Sequence, residues 1–480
     1  MRNSLSLILG CLLMLSSRSQ EKWGLRQAVE YALANNISVK QADVQARVAA
    51  LNLYQSRMFQ LPSVSVSGNT GVYSGRTIDP TTNQFTTQQI VSSQFGLNAG
   101  LNVFNFFSTR NNIAGSRLDL QAAEANVEKI KNDVALNVAT AYLQVLVSFE
   151  QANIARVAVE QSSSNLDNTR KRVEAGALPE LNQAELEAQL ARDSTTLIAQ
   201  EAAVRTNLLF LKALLNLDAA APFDVATPPL DQIPVQSLAE LDPANVYQLA
   251  LNNLPQQKVL NLRIEAARKF VDAARGQMYP SLSVFAGLGS QYSNNKQVNF
   301  GDPVYSNQYI PTENKITVNN VDYPVLTRAF TVPTNIYTDP FGLQISDNFR
   351  QNIGVQLNIP LFNNGQARTQ WRRSQLNVST LELQRDQDLL TLKQDIYTAY
   401  NDAVSAVQRY NAGKKAVATA EKAYNFASKR YELGLLSTID LITNQNNLNR
   451  ARVELTQAQV DYIFRLKLLE FYKGQGIRLQ

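Results

Sequence analysis

The chain has 480 residues, 45% hydrophobic and 18% charged, which is enough apolar material for a folded protein and excludes a disordered one. Lys and Arg exceed Asp and Glu by only 45 to 40, scattered along the chain, so no basic stripe exists of the kind a nucleic-acid backbone requires. Histidine is absent and cysteine occurs once, which removes the commonest general base and metal ligand, any Ser-His-Asp or Cys-His arrangement, and any intrachain disulfide.

Residues 1–19 read as a secretory signal: Arg2 is the positive start, Leu5 to Leu15 the apolar centre, and Ser17-Arg18-Ser19 a small-x-small cleavage site before Gln20. The alternative is a lipoprotein signal ending at Ile8-Leu9-Gly10-Cys11, but its apolar centre of about five residues is shorter than the ~7 to 15 a signal normally uses. No later stretch approaches the ~20 consecutive apolar residues of a membrane-spanning helix. Any crossing after export must therefore use β-strands.

The remainder is one unit written twice. Ala32-Leu33, Asn35, Arg57, Pro62 and Val66 recur as Ala250-Leu251, Asn253, Arg275, Pro280 and Val284, all 218 positions on. Phe104-Asn105, Arg110, Thr140-Ala141-Tyr142, Arg172 and Gly176 return as Phe362-Asn363, Arg368, Thr398-Ala399-Tyr400, Arg430 and Gly434, now 258 apart. The change of offset, 258 minus 218, places a 40-residue insertion between Val284 and Asn352. The first repeat then occupies residues 20–216 and the second 243–480.

Each repeat runs through the same elements. Residues 25–60 and 243–277 carry apolar side chains at spacings of three and four, predicting helices that Pro62 and Pro280 terminate. The period then drops to two. Strands are predicted over 63–73 and 94–104 in the first copy and 281–292 and 352–362 in the second; Phe95, Leu97, Ala99, Leu101 and Val103 alternate with Gln94, Gly96, Asn98, Gly100 and Asn102. Ten residues apolar on one face and polar on the other is the length and alternation of a transmembrane β-strand around a wet interior. A hairpin half-buried on a soluble core alternates in the same way, and the signal segment together with the lack of a helical span favours the barrel. The intervening loops, 74–93 and 290–350, are polar and lack helical period, as outer-surface loops do.

Long helices are predicted next, 109–173 and 367–431, each free of internal proline; at ~1.5 Å per residue they reach roughly 95 Å, a length suited to a coiled coil or helical array. Gly176 and Gly434 mark chain reversals at 173–179 and 431–437, where a left-handed C-cap is needed, and return helices follow over 180–216 and 438–474. Residues 217–242 link the repeats and hold Pro222, Pro228, Pro229 and Pro234, so short strands or turns on the outside of a helical tube are expected there.

Four strands cannot close a barrel, since the smallest closed outer-membrane barrels have about eight. An open sheet in lipid leaves edge N–H and C=O groups unpaired. Two chains would give eight strands and a lumen filled by side chains, whereas three give twelve and a bore, so a homotrimer of quasi-sixfold symmetry is expected. The expected fold is thus a mixed membrane β-barrel plus an all-α coiled-coil tunnel, with two tandem repeats, four β-strands per chain, and a 12-stranded barrel and α-helical barrel completed by the trimer.

The order and doubling of these elements, with Arg172 to Leu181 (Arg-Val-Glu-Ala-Gly-Ala-Leu-Pro-Glu-Leu) and Arg430 to Leu441 (Arg-Tyr-Glu-Leu-Gly-Leu-Leu-Ser-Thr-Ile-Asp-Leu), resemble the TolC family of outer-membrane efflux proteins over essentially the whole mature chain. That resemblance implies a passive exit duct in the outer membrane of a Gram-negative bacterium, extending into the periplasm. It would serve a tripartite efflux or type I secretion system, carrying small molecules or polypeptides from an inner-membrane transporter and a periplasmic adaptor. It also implies a periplasmic gate whose matching positions are Tyr431 and Asp440, the latter as a member of an acidic, cation-attracting ring. Leu436 stands where the family often has a gate arginine, Thr443 where a second acidic residue would stand, and Asn182 where the first copy could carry an aspartate, so closure would rest on apolar packing of Leu178, Leu433 and Leu436. Adaptor docking would fall on Gly176, Leu178, Leu433, Gly434 and Leu435. No phosphate-binding Gly-rich loop with lysine and no catalytic or metal constellation is legible, so neither an enzyme nor a cofactor is expected. The alternative from another class is a barrel-anchored trimeric coiled-coil adhesin or structural stalk.

Overall fold

A computed structural model describes residues 22–78, 83–87, 89–227 and 236–474. The expected signal segment, Cys11, and Pro228, Pro229 and Pro234 of the linker lie outside the described residues. The chain divides into a sheet unit, residues 54–113 and 271–371, and a helical unit formed by the rest.

The sheet unit is built on four antiparallel strands, β1 (Ser63–Tyr73), β4 (Ile90–Phe104), β5 (Ser281–Ser293) and β10 (Arg350–Asn358), in the spatial order β1-β4-β5-β10. Each repeat contributes one hairpin. The register aligns the alternation across both copies: Val64 lies beside Ala99, Ala99 beside Ala286, and Ala286 beside Ile353. On the other face Ser65, Asn98, Gly287 and Asn352 form the corresponding polar row. Val66 and Ile353 are 81% and 82% exposed, so these rows of the apolar face have no covering layer among the described residues, an arrangement that is stable against lipid and costly against water. The polar face carries a large aromatic, Phe285, flanked in register by Gly100 and Gly354. A Cβ at Gly354 would lie 2.5 Å from the Phe285 ring, so the missing side chain is what lets the ring lie across the strand.

Three elements depart from expectation. The second strand of the first hairpin starts at Ile90, paired with Tyr73, and not at residue 94; Ser92-Ser93 interrupts the alternation there and hides the extension. The last strand covers 350–358 and not 352–362, because Pro360 has no N–H to give to a ladder. The loop at 290–350, expected to be irregular, contains β6 (Gln297–Phe300) paired with β9 (Thr334–Tyr337), a longer ribbon of β7 (Val304–Val318) and β8 (Val321–Thr331), and a short helix α7 (Phe341–Asp347). Prolines 311 and 324 inside the ribbon disguised it in the sequence; Pro311 borders a register shift. Asn319 and Asn320 close the ribbon with φ of 54° and 60°, the two positive values a tight hairpin turn of primed type needs. In the first loop the paired segments β2 (Thr77–Ile78) and β3 (Phe85–Thr86) are two residues long.

The helices expected over 25–60 and 243–277 are each broken. α1 (Leu25–Asn35) and α2 (Ile37–Met58) meet at Asn36, whose side chain donates to the Leu214 carbonyl at 2.8 Å and accepts from the Ser38 N–H at 2.8 Å. α5 (Pro243–Asn253) and α6 (Pro255–Gly276) meet at Leu254, held extended because the ring of Pro255 clashes with a helical residue before it. The long helices are α3 (Ser108–Glu174) and α8 (Gln366–Glu432), each 67 residues and so about 100 Å long; the return helices are α4 (Glu180–Leu215) and α9 (Thr438–Tyr472). Alanines let neighbours approach: Ala399, Ala403 and Ala406 on α8 are buried.

The largest core joins α1, α3 and α4. Val138, Tyr142, Val145 and Leu146 of α3 pack against Leu25, Ala28 and Ala32 of α1 and Leu211 and Leu215 of α4. Trp23 forms an isolated parallel bridge with Val225 of the linker. The Tyr142 hydroxyl fastens this bridge, lying 2.6 Å from the Ala226 carbonyl and 3.2 Å from that of Trp23, and burial pushes its pKa up to about 12. In the second repeat, Leu241, Ala399, Ala403, Leu466 and Leu469 form a smaller core beside a short 3₁₀ turn, Leu238–Glu240. Among the described residues no helix is long and apolar enough to cross a membrane.

Tyr142→Phe leaves the carbonyls of Trp23 and Ala226 without this donor and is expected to cost about 1–3 kcal/mol, seen as a lower thermal midpoint in helical circular dichroism, with unchanged helical content before melting.

Candidate functional site

The two reversals that end α3 and α8 are built alike. Gly176 has φ +72° and Gly434 φ +74°. In the first, the N–H groups of Gly176 and Ala177 bond to the carbonyls of Val173 and Arg172; in the second, those of Gly434 and Leu435 bond to Tyr431 and Arg430. This is the Schellman pattern, which needs a left-handed residue at the glycine position. The return helix of the second copy has a further device: the Ser437 hydroxyl caps it by accepting from the Asp440 N–H at 3.2 Å and donates to the Asp440 carboxylate at 2.6 Å, which stays exposed at the helix N-terminus.

The structure brings some of the sequence-selected residues together and separates others. Tyr431 is buried, and its hydroxyl bonds to Thr169 of α3 at 2.8 Å. Arg172 donates to the Tyr431 carbonyl at 3.1 Å, and its guanidinium lies 5.8 Å from the Tyr431 ring centre. Leu436 packs on the same cluster with Tyr424, Ala427 and Leu441. Leu433 and Leu435 are instead 73% and 64% exposed, so within the chain Leu433 does not join Leu436 in one apolar contact. Leu178 and Asn182 are half-buried, and Thr443, exposed, donates its hydroxyl to the Ile439 carbonyl at 2.7 Å. The two tips therefore differ in character: Ala175 and Ala177 flank the first glycine, Leu433 and Leu435 the second.

Sequence reasoning missed Thr169 and the partner of Arg172. It also missed a buried polar network farther from the tips that joins α3, α4 and α9. The Ser162 hydroxyl donates to Asp193 at 2.5 Å and accepts from Gln445 at 2.7 Å. Gln189 donates to Asp193 at 2.9 Å and to Asn446 at 3.0 Å. Ser162, Gln189 and Gln445 are each at most 2% exposed. Buried polar groups of this kind are costly unless all are bonded, so the network selects one packing of the three helices. A signal was present: the 258-residue offset places Ala420 opposite Ser162, Ala427 opposite Thr169 and Ala451 opposite Asp193, so the repeat fails at these positions.

Among the described residues no group of three or more acidic, cysteine or histidine side chains is arranged to hold a metal ion. The arrangement is mechanical: two capped turns tied to each other by Tyr431, Thr169 and Arg172. A Thr169→Val, Tyr431→Phe double-mutant cycle on stability is expected to return a coupling of about 0.5–1.5 kcal/mol, with either single variant leaving one buried hydroxyl or its partner unbonded; additive losses would show that the pair is not coupled.

Comparison with known proteins places this arrangement. A profile described as outer membrane efflux protein matches residues 28–217 and 330–474. The outer membrane efflux protein BepC of Brucella suis is 21% identical over 92% of this chain and 82% of its own length. The outer membrane protein TolC of Escherichia coli is 23% identical over 72% of this chain and 63% of its own. Among solved structures, the CmeC outer membrane channel of Campylobacter jejuni superposes with a TM-score of 0.72 at 18% identity, covering 95% of this chain and 86% of that one. The chain belongs to the outer membrane efflux protein family, with the mixed membrane β-barrel and α-helical tunnel fold of an outer-membrane channel subunit.

Proposed function

We propose that three copies of this chain assemble into a passive exit duct, closing a 12-stranded barrel in the outer membrane and an α-helical barrel in the periplasm. The observation that carries this reading is the open four-stranded sheet with its uncovered apolar face and two free edges. Closure by sister chains satisfies those edges, and three chains give the first strand number with an open bore. As members of the family act, the duct is an outer-membrane component of efflux or type I secretion. The partners proposed are a periplasmic adaptor and an inner-membrane transporter, which supplies the energy.

Within that assembly the second tip is the gate. Tyr431, tied to Thr169 and Arg172, holds the α8–α9 reversal against α3, and Leu436 stiffens it from inside. Asp440 stays exposed on the first turn of α9, where threefold symmetry repeats it around the bore and gives cation preference. Asn182 and Thr443 line the same level as neutral groups, so the ring carries one acidic residue per chain. The tip surface, with Gly176, Leu433, Gly434 and Leu435 exposed and Leu178 half-buried, is the proposed adaptor-docking site, apolar enough to gain from burial and rigid because the caps hold it. The adhesin or stalk reading leaves the polar inner rows of the sheet without a role.

In planar bilayers, Asp440→Asn is expected to reduce cation over anion preference without changing assembly. In cells, Gly434→Trp, which places a bulky side chain at a left-handed position on the docking surface, is expected to abolish export while the trimer still forms. Normal export by assembled Gly434→Trp protein would remove the docking assignment, and unchanged selectivity in Asp440→Asn would remove the acidic ring.

A further inference from the structure

The helical unit contains a cavity of about 590 Å³ between α3, α4 and α9, a volume within the range of small-molecule sites. Its lining is sorted by depth. Ile154, Ala155 and Ala158 of α3 are buried and apolar, whereas Thr196, Arg450, Glu454 and Gln457 are exposed and polar. Arg450 and Glu454 stand one turn apart on α9 with opposite charges, which offset each other at the rim. The charge that remains is that of Asp193 on α4, which is only 9% exposed. Its carboxylate accepts from Ser162 and Gln189, both neutral, so among the described residues no ion pair offsets it. A buried carboxylate is costly unless a cation pairs with it.

Asn449 of α9 supplies a second, independent observation. It lines the cavity, and its side-chain carbonyl oxygen is buried with no hydrogen-bond partner. The side-chain carbonyl oxygen of Gln161 on α3 is in the same state. Because α3 runs into the first reversal and α9 out of the second, the two helices are antiparallel. Asn165 of α3 donates to Gln445 of α9 at 3.3 Å, and Gln161 and Asn449 each lie one turn farther from the tips on the same helix faces, forming the next rung. Both acceptors of that rung bear the desolvation penalty of an unmade bond. Turning the Asn449 amide end for end directs its N–H groups at the Gln161 oxygen and its own oxygen into the cavity. A guest that donates to that oxygen holds the turned state, in which neither acceptor is left without a donor.

We propose that this cavity binds a primary alkylammonium ion, its N–H groups donating to the Asp193 carboxylate and the Asn449 oxygen and its alkyl stem lying against Ile154, Ala155, Ala158 and Val453. The single unpaired carboxylate sets the charge of the guest, the Asn449 oxygen requires an N–H donor, and the apolar wall requires a stem. A quaternary ammonium ion lacks the donor, a bare metal ion leaves the wall uncovered, and an anion is repelled. No role in gating or export is needed for the assignment, so it stands or falls apart from the duct reading.

Isothermal titration of the full-length, detergent-solubilised protein with n-butylamine at neutral pH tests it. Expected are saturable binding at one site per chain, binding of n-butyltrimethylammonium weaker by roughly tenfold or more for want of N–H donors, and only dilution heat from butyrate or from potassium chloride at matched ionic strength. Asn449→Leu, close in volume but without the oxygen, should weaken n-butylamine binding to a similar degree while its thermal midpoint stays level or rises, because the oxygen it removes has no partner to lose. Glu124→Gln, which alters an exposed carboxylate of α3 outside the cavity, leaves binding unchanged. Absence of saturable heat, equal affinity for the trimethylated cation, or full affinity in Asn449→Leu would each overturn the assignment. The first two are read on the unaltered chain, so the test does not depend on a variant folding.

Discussion

The constraint on which the rest of this structure depends is the pairing of backbone N–H and C=O groups at the two edges of the β1-β4-β5-β10 sheet. Each outer strand has a neighbour on one side only. In water such an edge is a liability managed by solvation; in lipid each unpaired group costs several kcal/mol. The apolar rows that run through Val64, Ala99, Ala286 and Ile353 suit the sheet to lipid, and in the proposed assembly its edges pair with sister strands. Doubling within the chain follows economically: two hairpins of the same design pair with each other through β4 and β5, and the proposed trimer repeats that junction around a ring.

The helical unit is governed by the opposite requirement, since its helices satisfy their own backbone and need only side-chain contacts to order them. Long helices rich in alanine pack closely but with weak register. Register comes from the irregular parts: the breaks at Asn36 and Leu254, the Tyr142 bond to the linker, and the buried Ser162, Asp193, Gln189 and Gln445 network. The last of these is also where the two repeats differ. Near-identical copies would pack in many equivalent ways, and polar groups present in one copy and replaced by alanine in the other make one arrangement better than the rest. The tips show the same division: both carry a Schellman glycine, yet only the second has the tyrosine, the serine N-cap and exposed leucines on both sides of its glycine.

Much of this was legible in the residues. Strict alternation over Phe95 to Val103 and the unbroken three-four periodicity of α3 are local, strong signals, and the repeat doubled their weight. Pro62 and Pro280 stop helices for a reason that needs no tertiary knowledge. What escaped was non-local. The hinge at Asn36 has no breaker residue and depends on a carbonyl from α4. The β7–β8 ribbon carries prolines that argue against strands, overridden by pairing and a two-asparagine turn. At the candidate gate, Tyr431 and Asp440 could be selected because of their place beside Gly434, whereas Thr169 is 262 residues from its partner and is marked only by the alanine, Ala427, that stands at its place in the second repeat. The direction in which Leu433 and Leu436 diverge follows from packing on Tyr431, which no pattern of spacing contains.

Closure of the sheet between copies is measured most directly by cross-linking across its edges. In a Cys11→Ser background, a cysteine at Val64 of β1 is combined in turn with single cysteines along β10, and the oxidised, membrane-extracted protein is sized by mass. The account predicts that at least one register yields covalent species ending at three chains, with no larger ladder, because a closed ring has no free edge left. A product that never exceeds one chain, or a series that continues past three, contradicts it.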